Sequence, residues 1–121
     1  MKRVLFPPGE AEIKAIALPM VAQIADVLGK IPNKISLAGH ADPVPIHNRF
    51  FKSNWELAAA RSLSLLNLLT TRYGIAESRF SIASYGSNEP RNPNDTPDGR
   101  AGNRRVEIII LDEAPNLSAR E

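Results

Sequence analysis

The segment 34–61 constrains the fold most, because it contains both a predicted strand and a well-marked helix start. Residues 34–38 alternate polar and apolar side chains, which is the period of a strand with one buried face. Gly39 follows, and a glycine permits a backbone conformation or a close approach that other residues resist, so we expect the strand to stop there. Ser53 and Glu56 form a capping box, which satisfies free amides at a helix start. The segment therefore predicts a strand, a loop of about eleven residues and a helix.

The predicted helix carries an arginine within its apolar face. Read at helical spacing, that face consists of Leu57, Arg61, Leu65 and Leu68. A buried arginine needs a carboxylate partner or must extend to water, because an unpaired buried charge is very costly. Asp42 follows the preceding strand, at the end where ligands commonly bind in α/β sheets. Two interpretations stay open: Asp42 and Arg61 form a zwitterionic ligand site, or they form a structural salt bridge, which the residues alone favour.

The remaining segments predict a mixed sheet with helices packed on one face, because strands and helices alternate with short links. Three consecutive isoleucines, at 108–110, are typical of a strand that is covered on both sides. The expected elements are a strand at 3–6, a helix at 18–29 with Pro19 in its first turn, a strand at 34–38, a helix at 54–72, a strand at 79–85, a turn at 94–99, a short helical turn at 100–104 and a strand at 106–111.

Length and composition limit the kind of protein. The 121 residues suffice for one domain, expected at 1–112, and residues 113–121 lack periodicity and read as a flexible tail. The net charge of +2 is not concentrated in one run, so it does not argue for nucleic acid. The absence of cysteine removes disulfides, thiol catalysis and cysteine-ligated metals. No apolar run reaches the roughly twenty residues of a membrane span, and the early first strand suggests a fragment of a longer protein.

No residue pattern indicates a catalytic apparatus, a metal or another cofactor. His40, Asp42 and His47 match no ligand spacing of a known metal site, and no Gly-x-Ser-x-Gly motif is present. A cluster of arginines could bind phosphates, but acidic neighbours favour a local ion-pair network instead. Asn103, beside this cluster, could fix a turn through its amide. The arginines are Arg100, Arg104 and Arg105, and the acidic neighbours are Asp95, Asp98 and Glu107.

Four motifs, taken in order, resemble those of the OmpA-like peptidoglycan-binding domain. They are Gly39-His40-Ala41-Asp42, Asn54-x-x-Leu57-x-x-x-Arg61-Ser62, Tyr85-Gly86 with Pro90, and Gly99-Arg100-x-x-Asn103-Arg104-Arg105-Val106. The similarity extends from Phe6 to about Leu111 and is greatest to the B subunits of flagellar-motor stators. The resemblance implies an α/β (α+β) two-layer sandwich, with a mixed four-stranded sheet in the order βαβαβ(α)β.

The resemblance also implies a function without catalysis or a cofactor: holding the stem peptide of peptidoglycan, typically through meso-diaminopimelate. By position, Asp42 matches the aspartate that takes the ligand ammonium, and Arg61 matches the arginine that takes its carboxylate. Further matched positions, which shape or line the groove, are Asn54, Leu57, Arg100, Asn103 and Arg104. Stator B subunits imply a homodimer in the bacterial periplasm, anchored in the inner membrane beside a channel-forming A subunit, with no nucleic-acid partner.

Three alternatives to a stator anchor stay open. The first is a tether in an outer-membrane lipoprotein or porin. The second is a cell-wall hydrolase that uses His40 and Asp42, and the third is a nucleic-acid binder that uses the arginine cluster. For an anchor, we expect Asp42→Ala or Arg61→Ala to abolish wall binding and to leave the fold largely intact.

Overall fold

One mixed four-stranded sheet organises residues 2–112, the part of the chain that the computed structural model describes. The strands lie in the order β1-β4-β2-β3; β2 and β3 are parallel, and β4 runs antiparallel to both β1 and β2. This arrangement confirms the predicted fold class, and the predicted tail, 113–121, lies outside the described residues. The elements are β1 (Lys2–Leu5), α1 (Leu18–Gly29), β2 (Ile35–Gly39), α2 (Asn54–Thr71), β3 (Phe80–Ser84), α3 (Pro97–Asn103) and β4 (Arg105–Ile110).

A single apolar core lies between the sheet and the helices α1 and α2. Alternate residues of the strands point to this side, as the period of two requires. Burial of these side chains is the main favourable contribution to folding. The core consists of Val4, Phe6, Ile35, Leu37, Val106 and Ile108 from the sheet side, packed against Val21, Ile24, Ala25, Leu28, Leu65 and Leu69 from the helices.

The two long helices begin where the sequence predicts. Ser53 Oγ accepts a hydrogen bond from the Glu56 amide at 3.3 Å, and Glu56 Oε1 accepts one from the Lys52 amide at 3.2 Å. The first contact satisfies an amide that the first turn of α2 leaves free, and the second ties the residue before the cap to that turn. The first turn of α1 contains Pro19, whose missing N–H costs nothing at that position.

Two predictions near the C-terminal end of the domain are wrong. The segment 94–99 is not only a turn, because α3 already begins at Pro97, where Thr96 Oγ1 accepts from the Gly99 amide at 3.0 Å. The isoleucine run is not covered throughout, since Ile110 is 41% exposed. The register explains this, because β1 pairs with β4 only as far as Ile108 in the described part of the chain.

Candidate functional site

A groove of about 490 Å³ opens at the carboxyl end of β2, between the starts of α2 and α3. Its volume falls within the roughly 300–1,000 Å³ of small-ligand pockets. The turn after β1 and the loop after β2 complete its walls. The polar lining consists of Asp42, Asn54, Arg100 and Arg104, and the rest consists of Pro8, Gly9, Val44, Pro45, Ile46, Leu57 and Pro97.

Asp42 is the only carboxylate among these lining residues, and both of its oxygens are held in place. Oδ1 accepts a hydrogen bond from the Val44 amide at 3.1 Å, and Oδ2 lies 3.1 Å from Nη1 of Arg104. Arg104 in turn donates from Nε to the carbonyl of Phe6 at 2.9 Å. The sequence suggested Arg61 as the partner of this carboxylate. The structure pairs it with Arg104 instead, because Arg104 directly follows α3 at the edge of the groove.

Arg61 lies behind the groove and has no exposed surface. Nε donates to the carbonyl of Glu10 at 2.8 Å, Nη1 to that of His40 at 3.0 Å and Nη2 to that of Pro7 at 3.0 Å. Its guanidinium carbon also lies 5.3 Å from the centre of the Phe6 ring. These three carbonyls belong to the segments that form the groove wall, so Arg61 fixes the wall from inside.

The guanidinium of Arg61 stays charged at neutral pH. Burial lowers its pKa to about 10, helped by the positive charge of Arg104 and opposed by the negative charge of Asp42. Charge-assisted hydrogen bonds to the three carbonyls stabilise the ion in its buried position. These bonds use three of the five N–H groups of the side chain.

Five of the seven predicted site residues line the groove, and Arg61 and Asn103 do not. Asn54 donates to the Val44 carbonyl at 3.2 Å, and Arg100 donates to the Asn94 carbonyl at 2.9 Å. Both contacts attach a groove side chain to a neighbouring loop. The five lining residues are Asp42, Asn54, Leu57, Arg100 and Arg104.

Asn103 shapes the groove without touching it, and its predicted turn-fixing role is confirmed. The side chain is buried, and Oδ1 accepts from the amides of Arg91 and Asn92 at 2.8 and 2.9 Å. Nδ2 donates to the Asn92 carbonyl at 2.9 Å and to Asn94 Oδ1 at 2.7 Å. Because Asn94 also holds Arg100, this amide network positions one side of the groove.

Apart from Leu57, the apolar wall of the groove was not predicted from the sequence. Pro8 and Gly9 lie in the turn after β1, and the other apolar lining residues lie in the loop after β2 and at the start of α3. In the structure Gly9 has a φ of +67°, and a Cβ at this position would lie 3.5 Å from Cδ1 of Ile46. The Pro-Pro-Gly sequence was the available signal, since it forces a turn that returns the chain toward α2.

His40 lies on the other face of the sheet, beside a second cavity of about 380 Å³. Its buried ring stacks on Tyr85 at 5.1 Å, and neither ring nitrogen has a hydrogen-bond partner in the described part of the chain. Nε2 lies 4.0 Å from Oε1 of Glu107, which is paired with Arg105. The predicted ion-pair network is thus confirmed only for this pair: Arg104 pairs with Asp42 instead, and Asp95 and Asp98 form no ion pair within residues 2–112. Since His40 and Asp42 line different cavities, they do not form one hydrolytic site.

The buried cluster around His40 has shifted pKa values. Burial lowers the pKa of His40 to about 4; the charge of Arg105 adds to this effect, and that of Glu107 opposes it. For Glu107, burial alone raises the pKa, but the hydrogen bond and charge of Arg105 outweigh it and lower the pKa. His40 is therefore neutral, and Glu107 charged, at neutral pH.

Acid should destabilise the domain through His40. Its pKa is about 4 in the folded state, whereas an ordinary histidine, as in the unfolded chain, has a pKa of 6.5. The unfolded chain therefore binds the proton more tightly. Stability is then full above pH 6.5 and falls as the pH drops toward 4, by about 3 kcal/mol at most. Urea unfolding at neutral and acidic pH measures this loss. His40→Phe, which keeps a ring against Tyr85, should flatten the pH dependence; an unchanged slope would contradict the assignment.

Comparisons with known proteins find relatives and solved structures that are similar to this chain. Motility protein B of Bacillus subtilis (strain 168) is 36% identical over 109 residues, which cover 89% of this chain and 42% of that protein. A crystal form of the C-terminal domain of Helicobacter pylori MotB matches with a TM-score of 0.87 at 32% identity, over 98% of this chain and 92% of that one. The cell wall anchor of the T6SS from Pseudomonas aeruginosa matches with a TM-score of 0.79 at 36% identity, over 90% of this chain and 76% of that one.

The chain thus spans less than half the length of the Bacillus relative. Within residues 2–112, no helix is both long and apolar enough to cross a membrane. The profile of the OmpA family matches residues 5–104, which include all of the groove residues. The chain belongs to the OmpA family, and its known relatives include motility protein B.

Proposed function

We propose that the groove binds the stem peptide of peptidoglycan through the zwitterionic end of a diaminopimelate residue. The observation that carries this proposal is the placing of one carboxylate and two guanidinium groups around a single groove of about 490 Å³. Such a site offers a negative partner to an ammonium and positive partners to a carboxylate. Two opposite charges at a fixed separation recognise a zwitterion better than they recognise an ion of either sign.

In this proposal Asp42 receives the ligand ammonium. Its two oxygens are already oriented by Val44 and Arg104, so little side-chain entropy is lost on binding. The ligand carboxylate is held by a guanidinium, for which Arg61 is the candidate from the family resemblance. Arg61 is fully buried in this structure, however, whereas Arg100 and Arg104 already face the groove.

The remaining lining suits an aliphatic side chain. Leu57, Val44 and Ile46 give the groove apolar walls, and the side chain of diaminopimelate is a chain of methylene groups between its two charged ends. Asn54 supplies an amide at the start of α2 for hydrogen bonding to the peptide. Apolar walls with a few oriented polar groups provide affinity and direction together.

We further propose that this domain anchors a flagellar-motor stator to the cell wall, as a binding module and not as an enzyme. The similarity to motility protein B supports the assignment to a motor, and the T6SS relative is itself named as a cell wall anchor. The whole protein would be a homodimer in the inner membrane, with this domain in the periplasm and a channel-forming A subunit as its partner. The alternative role, a tether in an outer-membrane protein, would use the same groove.

Asp42→Asn should abolish co-sedimentation of the chain with purified peptidoglycan. The substitution keeps the shape and the acceptor for the Val44 amide but removes the negative charge, and a charged hydrogen bond is worth roughly 1.5–3 kcal/mol. The matched control is Asp26→Asn, which neutralises an exposed aspartate on α1 that pairs with Lys30. Binding by the control, and loss in a variant whose circular dichroism is unchanged, would support the proposal. Equal binding by both variants would refute it.

A further inference from the structure

Trp55 presents a large aromatic surface next to the groove. It is the only tryptophan of the chain, it is the second residue of α2, and 54% of it is exposed. The indole lies against Gly86: a Cβ at that glycine would be 3.1 Å from Cδ2 of Trp55. Ser84 Oγ also donates to the Trp55 carbonyl at 2.7 Å. One side of Trp55 therefore packs against Gly86, while the other side faces solvent.

Two short connections link Trp55 to residues that line the groove. The carbonyl of Gly86 accepts a hydrogen bond from the Ala41 amide at 2.8 Å, and the next residue is Asp42, the groove carboxylate. On the helix side, the residue before Trp55 is Asn54, which lines the groove. A ligand that leaves the groove along this side would therefore meet the indole.

We propose that Trp55 stacks against a sugar ring of the glycan strand whose stem peptide occupies the groove. This inference rests on the proposed function of the groove. A pyranose ring presents a face of C–H groups, which packs on an aromatic ring while its hydroxyls stay in water. The polar side chain of Asn88 borders the same contact: its Nδ2 lies 3.4 Å from the Cβ position of Gly86 and donates to the Tyr85 carbonyl.

The length of the stem peptide is compatible with this arrangement. Diaminopimelate is joined to the sugar through a γ-linked D-glutamate, an L-alanine and a lactyl group, so the extended connection spans on the order of 10–15 Å. Asn54 lines the groove, and its Cα is about 3.8 Å from that of Trp55, so the indole lies within that reach of the groove edge. The peptide would thus occupy the groove and the sugar would lie on Trp55, which gives the domain two contacts with one wall fragment.

The test compares two synthetic probes, the free tripeptide L-Ala-γ-D-Glu-meso-diaminopimelate and the same tripeptide carried on its disaccharide. Calorimetry measures both affinities, and the emission of Trp55 reports contact with the sugar directly, because no other tryptophan contributes. We expect the disaccharide to increase affinity by up to about tenfold and to shift the emission, since aromatic stacking is worth roughly 0.5–1.5 kcal/mol. Trp55→Ala should remove this gain and leave tripeptide binding unchanged.

Phe50→Ala is the matched control, because Phe50 is an even more exposed aromatic, 68%, in the loop before α2. Phe50→Ala should keep the increase in affinity that the disaccharide provides. A gain that persists in Trp55→Ala, or tripeptide binding with no gain in the wild type, would overturn the sugar contact and leave the groove proposal standing. Failure of both probes would overturn the groove proposal itself. An emission that changes with protein concentration and not with disaccharide would assign Trp55 to contact between two copies of the chain.

Discussion

Arg61→Ala is expected to destabilise the domain by about 3–5 kcal/mol, a large part of the roughly 5–15 kcal/mol that holds a domain of this size folded. The guanidinium is fully buried and donates to the carbonyls of Pro7, Glu10 and His40. Alanine would leave these three acceptors without their donor and open a cavity beneath Phe6. Each unsatisfied buried carbonyl costs roughly 1–3 kcal/mol.

Urea unfolding followed by circular dichroism measures this effect. The matched control is Arg72→Ala, which removes an exposed arginine just after α2 whose guanidinium lies 6.0 Å from the Tyr73 ring centre. Arg61→Lys should fall between the two, because one ammonium keeps the charge but cannot match the planar fork that reaches three separate carbonyls. If Arg61→Ala were as stable as Arg72→Ala, the three hydrogen bonds would contribute nothing to the fold.

These contacts alter an expectation formed from the sequence. From the sequence alone, Arg61→Ala is expected to abolish wall binding and to leave the fold largely intact. A variant that has lost its groove wall would fail to bind for structural reasons, so it cannot separate ligand contact from support of the fold. Asp42→Asn separates them better, because Asp42 lines the groove and asparagine keeps its shape and the acceptor for the Val44 amide.

Local signals in the sequence predicted most of the fold. Ser53 with Glu56 marks the start of α2, and Pro19 marks the start of α1, because in each case one side chain acts on amides within a single turn. The start of α3 was missed although Thr96 and Pro97 carry the same kind of signal. The surrounding Asn, Asp and Gly residues favour turns, and that composition outweighed the cap.

Contacts between distant segments could not be predicted in the same way. Arg61 is bound by main-chain carbonyls, and every residue carries one, so no side-chain pattern identifies its partners. Asp42 and Arg104 are 62 positions apart, and several arginines compete for the same carboxylate in the sequence. Helical spacing did identify Arg61 as anomalous, and the position after β2 did identify Asp42. That Asp42 pairs with Arg104 and not with Arg61 could be seen only in the three-dimensional arrangement.

Gly39→Ala is expected to cost about 3 kcal/mol or more, at the upper end of overpacking effects. Gly39 is not in a left-handed conformation, so its importance lies in close packing and not in backbone freedom. A Cβ at this position would lie 2.0 Å from the Ala58 carbonyl oxygen and 2.6 Å from Ser62 Oγ. The nearer atom is helix backbone, which cannot rotate away as a flexible side chain would, so α2 must move off β2.

Gly29→Ala is the matched control for this substitution. Gly29 is the last residue of α1, and a Cβ there would meet no atom within 4 Å, so alanine should leave the domain unchanged or stabilise it by about 0.4–1 kcal/mol. Equal unfolding midpoints for the two variants would show that α2 does not need this approach. Displacement of α2 would also shift Arg61, one turn beyond Ala58, away from the carbonyls that it binds. Gly39→Ala should therefore weaken wall binding as well as stability, although Gly39 lines no part of the groove.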